Sequence, residues 1–497
     1  MERQRYSNIL TLGATALFLG IVSTVLFYEQ GLGLNFSLFV AIVAISGLFL
    51  SHIFSQRTKQ EQYLLIGIAL FFSLMVFVHS SELLTFFNIV GCTLLFLIIT
   101  NTFVGKQIRE YLPSEYIRLL FLPLHFVKSF FKTFLEMVSL RGIFGEHSRT
   151  KEIVRGSIMA VVAIVIFGAL FASADAVFEK IISHIFTFKL SEDIVGRFIF
   201  GAVVSLFFIG TFGFMFRSSH SSAISVSGDK LRNLGSVETA ILLGSINVLF
   251  FLFIILQLTY LFGGESHFAS AGLTYAEYAR KGFFELILVA ILSYLIISFA
   301  ETQVVKKEKR HLLSFKIASA LLVAQVILIL ISAFMRLSLY ENAYGFTEIR
   351  LYSYALMIWI AVILVLLSHH IWTNGERTVF AFRTFCTIVL LLFAMNMLNP
   401  DIFIAKKNLK RYADTGTIDA KYLASLSNDA LPYTIHLLDD PDEIVRKDFA
   451  DGLYWKIDHM SKRTWQSMHF NQAQSEKLLE SRRNTIEKNK EVSLSLE

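Results

Sequence analysis

VETAILLGSINVLFFLFIILQLTYLFGG at residues 237–264, followed after a short loop by LTYAEYARKGFFEL at 273–286, decides the fold class. The first string is apolar for longer than the roughly 20 residues that cross the hydrocarbon of a bilayer. It nevertheless carries Glu238, Asn247 and Gln257, and the second string opens with Tyr275, Glu277, Tyr278, Arg280 and Glu285. Polar side chains at membrane depth are costly, so each needs a partner, a water-filled cavity or a function. The pattern predicts an all-α integral membrane protein, with this pair of spans as the place to look for a site.

Composition agrees. The chain has 497 residues, 55% hydrophobic and only 17% charged, with 49 Phe, more than soluble cores use. The net charge of +6 comes from Lys and Arg in short loops between apolar runs, the distribution that orients membrane helices rather than one that binds nucleic acid. The two cysteines, Cys92 and Cys386, both lie inside apolar runs, so there is no disulfide framework and no zinc-type spacing. The basic start and long apolar run of the first thirty residues lack a small-x-small cleavage site, and read as a retained first helix.

Roughly eleven runs are long enough to span, near residues 8–27, 35–54, 62–79, 83–103, 154–173, 194–216, 238–262, 281–300, 314–335, 351–371 and 379–397. Arg3, Arg5, Arg57, Lys59, the 104–153 segment, Arg217, Lys230, Arg232, the Lys306–Arg310 cluster and Arg377 then alternate onto one side. That predicts a multi-pass protein of the cell membrane with a cytoplasmic N-terminus and an extracytoplasmic C-terminus. Four units follow: a four-helix membrane unit at 1–103, a cytoplasmic amphipathic linker at 104–153, a seven-helix core at 154–398 and an extracytoplasmic helical tail at 399–497. In the linker, Arg118, Lys128 and Lys132 among Leu and Phe suit a helix lying in the headgroup plane, and Pro123 should kink or break it. In the tail, Asp440, Pro441 and Glu443 form a helix-start pattern, Trp455 and Trp465 offer apolar contacts, and Ala420 to Leu453 has the look of one HEAT-type helix pair.

The strings FASADAVF (171–178), NVLFFLFIILQLTYLFGG (247–264), LTYAEYARKGFFEL (273–286), AYGFTEIRLYSYALMIWIA (343–361), NPDIFIAKKNLKRY (399–412) and YLASLSNDALP (422–432) are specific in aggregate. They resemble a bacterial family of polytopic membrane proteins catalogued as a domain of unknown function, the 4173-type, itself related to the 4153-type. The resemblance covers the rear helices and the start of the tail. It implies a membrane fold and no activity, substrate or cofactor.

Each candidate site residue has a structural alternative. Glu277 forms a capping box with Thr274. Glu285 shares a helix face with Tyr278 and Lys281, and is either internally paired or a carboxylate lining a polar cavity. Asn247 and Gln257 suit interhelical hydrogen bonds as well as ligand contacts, and Glu238 suits the positive end of its helix. Arg336, Tyr340, Tyr344 and Arg350 fall at outer span ends, where Arg and Tyr commonly anchor in headgroups. The topology nonetheless gathers Asp175, Tyr278, Arg280, Arg336, Arg350 and Asp401 beside the tail. An outer vestibule is expected there, its Arg residues holding an anionic small molecule or lipid group. His52, His125, His369 and His370 lack a ligand spacing, and no Walker loop, HExxH or G-x-S-x-G elbow occurs, so no metal, cofactor or catalytic residue is expected. Three functions stay open: binding or transport of a small or lipidic ligand at spans seven and eight, a sensor or scaffold whose tail binds an extracytoplasmic protein, and an enzyme acting on a lipid-linked substrate.

Overall fold

The computed structural model describes residues 2–138, 192–217, 236–262, 283–303, 309–460 and 464–494, with a few isolated positions between 156 and 171. Among these residues all regular structure is helical, and ten helices are long and apolar enough to cross a membrane. The front of the chain gives α1 (Glu2–Phe27), α2 (Leu34–Ile53), α3 (Gln60–Val78) and α4 (Glu82–Phe103), then the shorter α5 (Pro113–Arg118) and α6 (Leu122–Val138). The rear gives α7 (Glu192–Arg217), α8 (Ser236–Phe262), α9 (Phe283–Gln303), α10 (Lys309–Tyr344), α11 (Glu348–Thr373) and α12 (Arg377–Leu398). The tail holds α13 (Pro400–Thr415), α14 (Ala420–Ser425), α15 (Leu431–Thr434), α16 (Glu443–Met460), α17 (Gln472–Ser481) and α18 (Arg483–Leu494). The expected span at 154–173, the outer loop after it and the 263–282 stretch lie outside the described residues.

Local chemistry sets the helix ends that matter below. Asn399, at φ 47°, closes α12 and opens α13, its side chain accepting from the Ile402 N–H while Pro400 fills the first helical position. Proline there loses no bond, because that N–H has no intrahelical partner. Pro123 likewise sits in the first turn of α6, and the linker helix is broken just before it by a 3₁₀ turn at Leu119–Phe121. Phe121, Leu124, Val127, Phe131 and Leu135 are exposed along the outer face of the 3₁₀ turn and α6, while Phe126 is buried against Phe207 and Phe214 of α7.

Sequence order and spatial grouping differ. One core joins α1, α2, α4 and α7 through Leu12, Leu19, Leu50, Phe208 and Phe212, and another joins α8 to α11 through Leu243, Ala290, Leu322, Val326 and Leu364. Helix α7 therefore packs with the front helices. A Cβ on Gly20 would stand 2.4 Å from the Gly201 carbonyl oxygen, so paired glycines let α1 and α7 approach closely.

The bundle has two unlike ends. At the Met1 end, Arg5 and Arg217 converge on Glu136, Lys106 binds Glu115, and Arg377 binds Glu301. At the opposite end the tail is built into the bundle. The Leu34 N–H donates to the Met468 carbonyl at 3.0 Å, the Phe470 N–H to the Phe77 carbonyl at 2.8 Å, and Asn408 bonds both backbone groups of Phe346. A Cβ on Gly33 would lie 2.7 Å from the Met468 carbonyl oxygen, so only glycine admits the tail segment there.

The tail core is filled by Phe449, Leu453, Leu423, Leu438 and Ile404. Trp465 is exposed, and the Trp455 side chain lies outside the described residues. Between Ala420 and Leu453 the chain makes two short helices and a 3₁₀ turn before α16, so the HEAT-like pair has no continuous first helix. Asp442, rather than Asp440, bonds the N–H of Ile444 at the start of α16, leaving Pro441 outside the helix.

Candidate functional site

Where the tail meets the bundle there is a cavity of about 980 Å³. Its bundle wall comes from the loop after α1, with Glu29, from the start of α4, with Glu82, and from the start of α11, with Glu348; its tail wall includes Asp401, Lys456 and His469. Three of the four acids have a simple local reason. Glu82, Glu348 and Asp401 each occupy the first turn of a helix, where free N–H groups and the helix dipole favour a carboxylate.

That local reason does not account for Asp401. Its side chain is fully buried. Oδ2 accepts from the Ser427 N–H at 3.2 Å, but no protein donor reaches Oδ1. What faces it is another carboxyl: Glu348 lies within hydrogen-bonding reach. Two carboxylates tolerate such an approach only with a proton or a cation between them. The backbone N–H of Glu348 is already taken by the Tyr422 hydroxyl at 2.9 Å. Burial pushes the Tyr422 phenol up to about 12, with the Glu348 and Asp401 charges adding to the rise. Lys456 donates to the Leu426 carbonyl, and burial pulls its ammonium down to about 8 against the opposing pull of Asp401. Among the described residues no group of three or more His, Cys, Asp or Glu is arranged to hold a metal ion.

Beside the cavity a second polar cluster fastens the tail. Asp429 accepts from the Ser80 N–H at 3.2 Å, the Ser80 hydroxyl at 2.9 Å and Asn399 Nδ2 at 3.0 Å, and lies 3.4 Å from His79 Nδ1. Burial pushes the Asp429 carboxyl up, but the His79, Ser80 and Asn399 contacts outweigh it and hold the group below its ordinary value.

The residues singled out in the sequence distribute differently. Asn247 is buried and donates to the carbonyls of Leu243 and Ala318, at 2.7 and 3.1 Å, while Gln325 donates to the Asn247 carbonyl. Gln257 Oε1 accepts from Ser332 and from Arg336, both at 2.8 Å. Both amides thus join α8 to α10. Arg350 donates to the Gly345 carbonyl and stacks 4.3 Å over the Tyr340 ring. Glu285 is exposed in the first turn of α9. Asp175, Tyr278 and Arg280 lie outside the described residues. Of the described residues expected at an outer vestibule, Asp401 lines the cavity, whereas Arg336 and Arg350 do not. Glu82, Glu348 and Lys456 were missed, and the available signal was the same for all three acids at helix starts: an acid directly after a loop.

A family model described as a domain of unknown function (DUF4153) matches residues 66–437. No curated protein and no solved structure matches the chain.

Proposed function

The chain belongs to the DUF4153 family, and from its cavity we propose that this integral membrane protein binds a ligand carrying a primary ammonium group between the bundle and the tail. Asp401 carries this reading: a fully buried carboxyl, with one oxygen that accepts no hydrogen bond from the fold, set directly beside a second carboxyl on the cavity wall. An ammonium brings both the positive charge the pair needs and three N–H donors to divide between the oxygens. Glu29 and Glu82 on the same wall add to the negative field. An anionic ligand has less support, since Arg336 and Arg350 already bond within the fold and neither lines the cavity. In this reading the cavity faces outward from the cell membrane. The gathering of Arg5, Lys106, Arg109 and Arg377 at the opposite end supports a cytoplasmic N-terminus and an extracytoplasmic C-terminus.

The test uses ethanolamine and acetate with the protein in phosphatidylglycerol vesicles. A ligand that binds only the folded state raises the unfolding temperature in proportion to its occupancy. Ethanolamine is expected to raise it and acetate to leave it unchanged, and the double substitution Glu348→Gln with Asp401→Asn is expected to abolish the shift. An ethanolamine shift that survives the double substitution, or an equal shift from acetate, overturns the reading.

A further inference from the structure

A second cavity begins almost where the first ends. It is an apolar cleft of about 300 Å³ inside the front helices, walled by α2, α3, α4 and α7. On α2 its lining runs from Phe36 to Leu48, about 18 Å at 1.5 Å per residue. That shape is long for its volume. Thr93 and Phe207 are exposed along it, so it opens on the bundle's outer surface.

Helix α4 connects the two spaces. Ile89 lines the polar cavity, while Thr93, Phe96, Thr100 and Phe103 line the cleft, and these five follow one another at spacings of four, three, four and three. That is one face of one helix. Leu32 and Phe36 repeat the adjacency at the start of α2, one on each cavity.

Nothing in the cleft is set to hold water or a polar group. Thr93 and Thr100 turn their hydroxyls back onto the carbonyls of Ile89 and Leu97, both at 2.8 Å, and Cys92 faces the Ala69 carbonyl. A cavity without polar partners does not retain water. At membrane depth the occupant that fits a narrow apolar slot is a hydrocarbon chain. Gly47 lines the cleft, and a Cβ there would meet no atom within 4 Å.

We propose that the ligand is a chain-bearing amine, a single amphiphile with its ammonium head at Glu348 and Asp401 and one hydrocarbon chain laid along α4 in the cleft. This rests on the ammonium site proposed above and adds the class of molecule that carries the group. It also distinguishes the ligand's chain from that of any bulk lipid, because the head selects which lipid's chain enters.

The test is photocrosslinking in phosphatidylglycerol vesicles holding a trace of phosphatidylethanolamine with a diazirine in mid-chain, the adducts being mapped by mass spectrometry. Adducts are expected on inward cleft residues such as Val43, Phe96 and Thr100. Phosphatidylglycerol bearing the same diazirine is expected to label only lipid-facing residues. Gly47→Phe, which fills the slot, is expected to cut cleft adducts at least tenfold while leaving peripheral ones. The double substitution of Glu348 and Asp401 is expected to do the same without touching the cleft. Gly47→Ala serves as a milder second variant should the larger residue disturb folding, and should lower cleft labelling in part.

If ethanolamine still stabilises the protein but the cleft takes no adducts, the amphiphile is refuted and the ammonium site stands. Equal cleft labelling by both lipids refutes a single molecule shared between head site and slot. Loss of the ethanolamine effect itself takes down the site and the amphiphile together.

Discussion

Asp429→Asn is the most informative single change, because one buried carboxylate holds together segments some 350 residues apart in sequence. The carboxylate accepts from two groups of Ser80 and from Asn399, and stands against His79. Asparagine keeps the shape but removes the charge beside His79: with its oxygen left to the Ser80 N–H and Asn399, its NH₂ meets the Ser80 hydroxyl, which must turn from donor to acceptor. Removing one partner from a buried charged network costs about 3–5 kcal/mol, and here that cost falls on the docking of the tail. With tenfold per 1.4 kcal/mol, the undocked population should grow by roughly two to four orders of magnitude. Hydrogen exchange reads that population at the amides of Ser427, Ala430 and Leu431. The acid side adds a check. Since the folded carboxyl lies below its ordinary value of 3.8, its stabilisation is complete above that pH and lost as pH falls through the folded value. Asp429→Asn should therefore flatten the acid limb of the stability profile. Exchange rates within a factor of three of the parent, with an unchanged acid limb, refute this account of the junction.

Other perturbations separate the remaining contacts. Lys456→Met should remove a rise in stability between about pH 8 and 10.5, because across that window the unfolded chain keeps a proton that the folded lysine has released; a pH series of thermal unfolding for both proteins checks it. Gln257→Leu should cost more than Ser332→Ala, since Gln257 Oε1 serves both Ser332 and the Arg336 guanidinium, and bonds to charged groups contribute about 1.5–3 kcal/mol each; equal losses in detergent unfolding would contradict it. Gly33→Val drives a side chain into the Ser467 and Met468 backbone, and should expose the tail to limited proteolysis while Gly47→Ala does not.

The spans were legible because hydrocarbon thickness imposes a length that composition alone can meet. The run near 62–79 is Gln60–Val78, and that near 351–371 is Glu348–Thr373. Which way each helix faces was not legible. Gln257 and Arg336 are far apart in sequence, and their bond follows from the rotation of α8 against α10, which no local pattern encodes. The cavity is less legible still. Its walls come from residues 29–32, 80–89, 348, 401, 425–428, 456 and 464–469, and three of its four acids look like ordinary helix starts. Asp401 was placed at the tail end of the bundle from topology, but its burial depends on α13 turning back at Asn399 and on Ser427 closing over it. Glu285 drew attention as an acid in an apolar run, and its side chain is exposed on α9.

Site and junction are coupled by construction. Asn399 bonds Asp429 on one side of Pro400 and Asp401 lines the cavity on the other, so the same turn that docks the tail also presents the site carboxyl. Lys456, Ser427 and His469 reach the cavity only from a docked tail. A ligand bound there meets its full set of contacts in the docked state alone, and must therefore oppose undocking by RT ln(1 + [L]/Kd), about 2.7 kcal/mol at a hundredfold excess over Kd. Linkage also runs the other way: a change that loosens the Asp429 cluster raises the apparent Kd to the intrinsic Kd divided by the docked fraction, so the ligand is lost once undocking dominates. The reverse substitution is not symmetric, because Asp401 makes one protein hydrogen bond through Oδ2 and its loss leaves the Asp429 contacts to Ser80 intact. Asp401→Asn should thus lose the ligand while keeping tail exchange slow, and Asp429→Asn should lose both, an ordering expected only if the tail is one wall of the binding site.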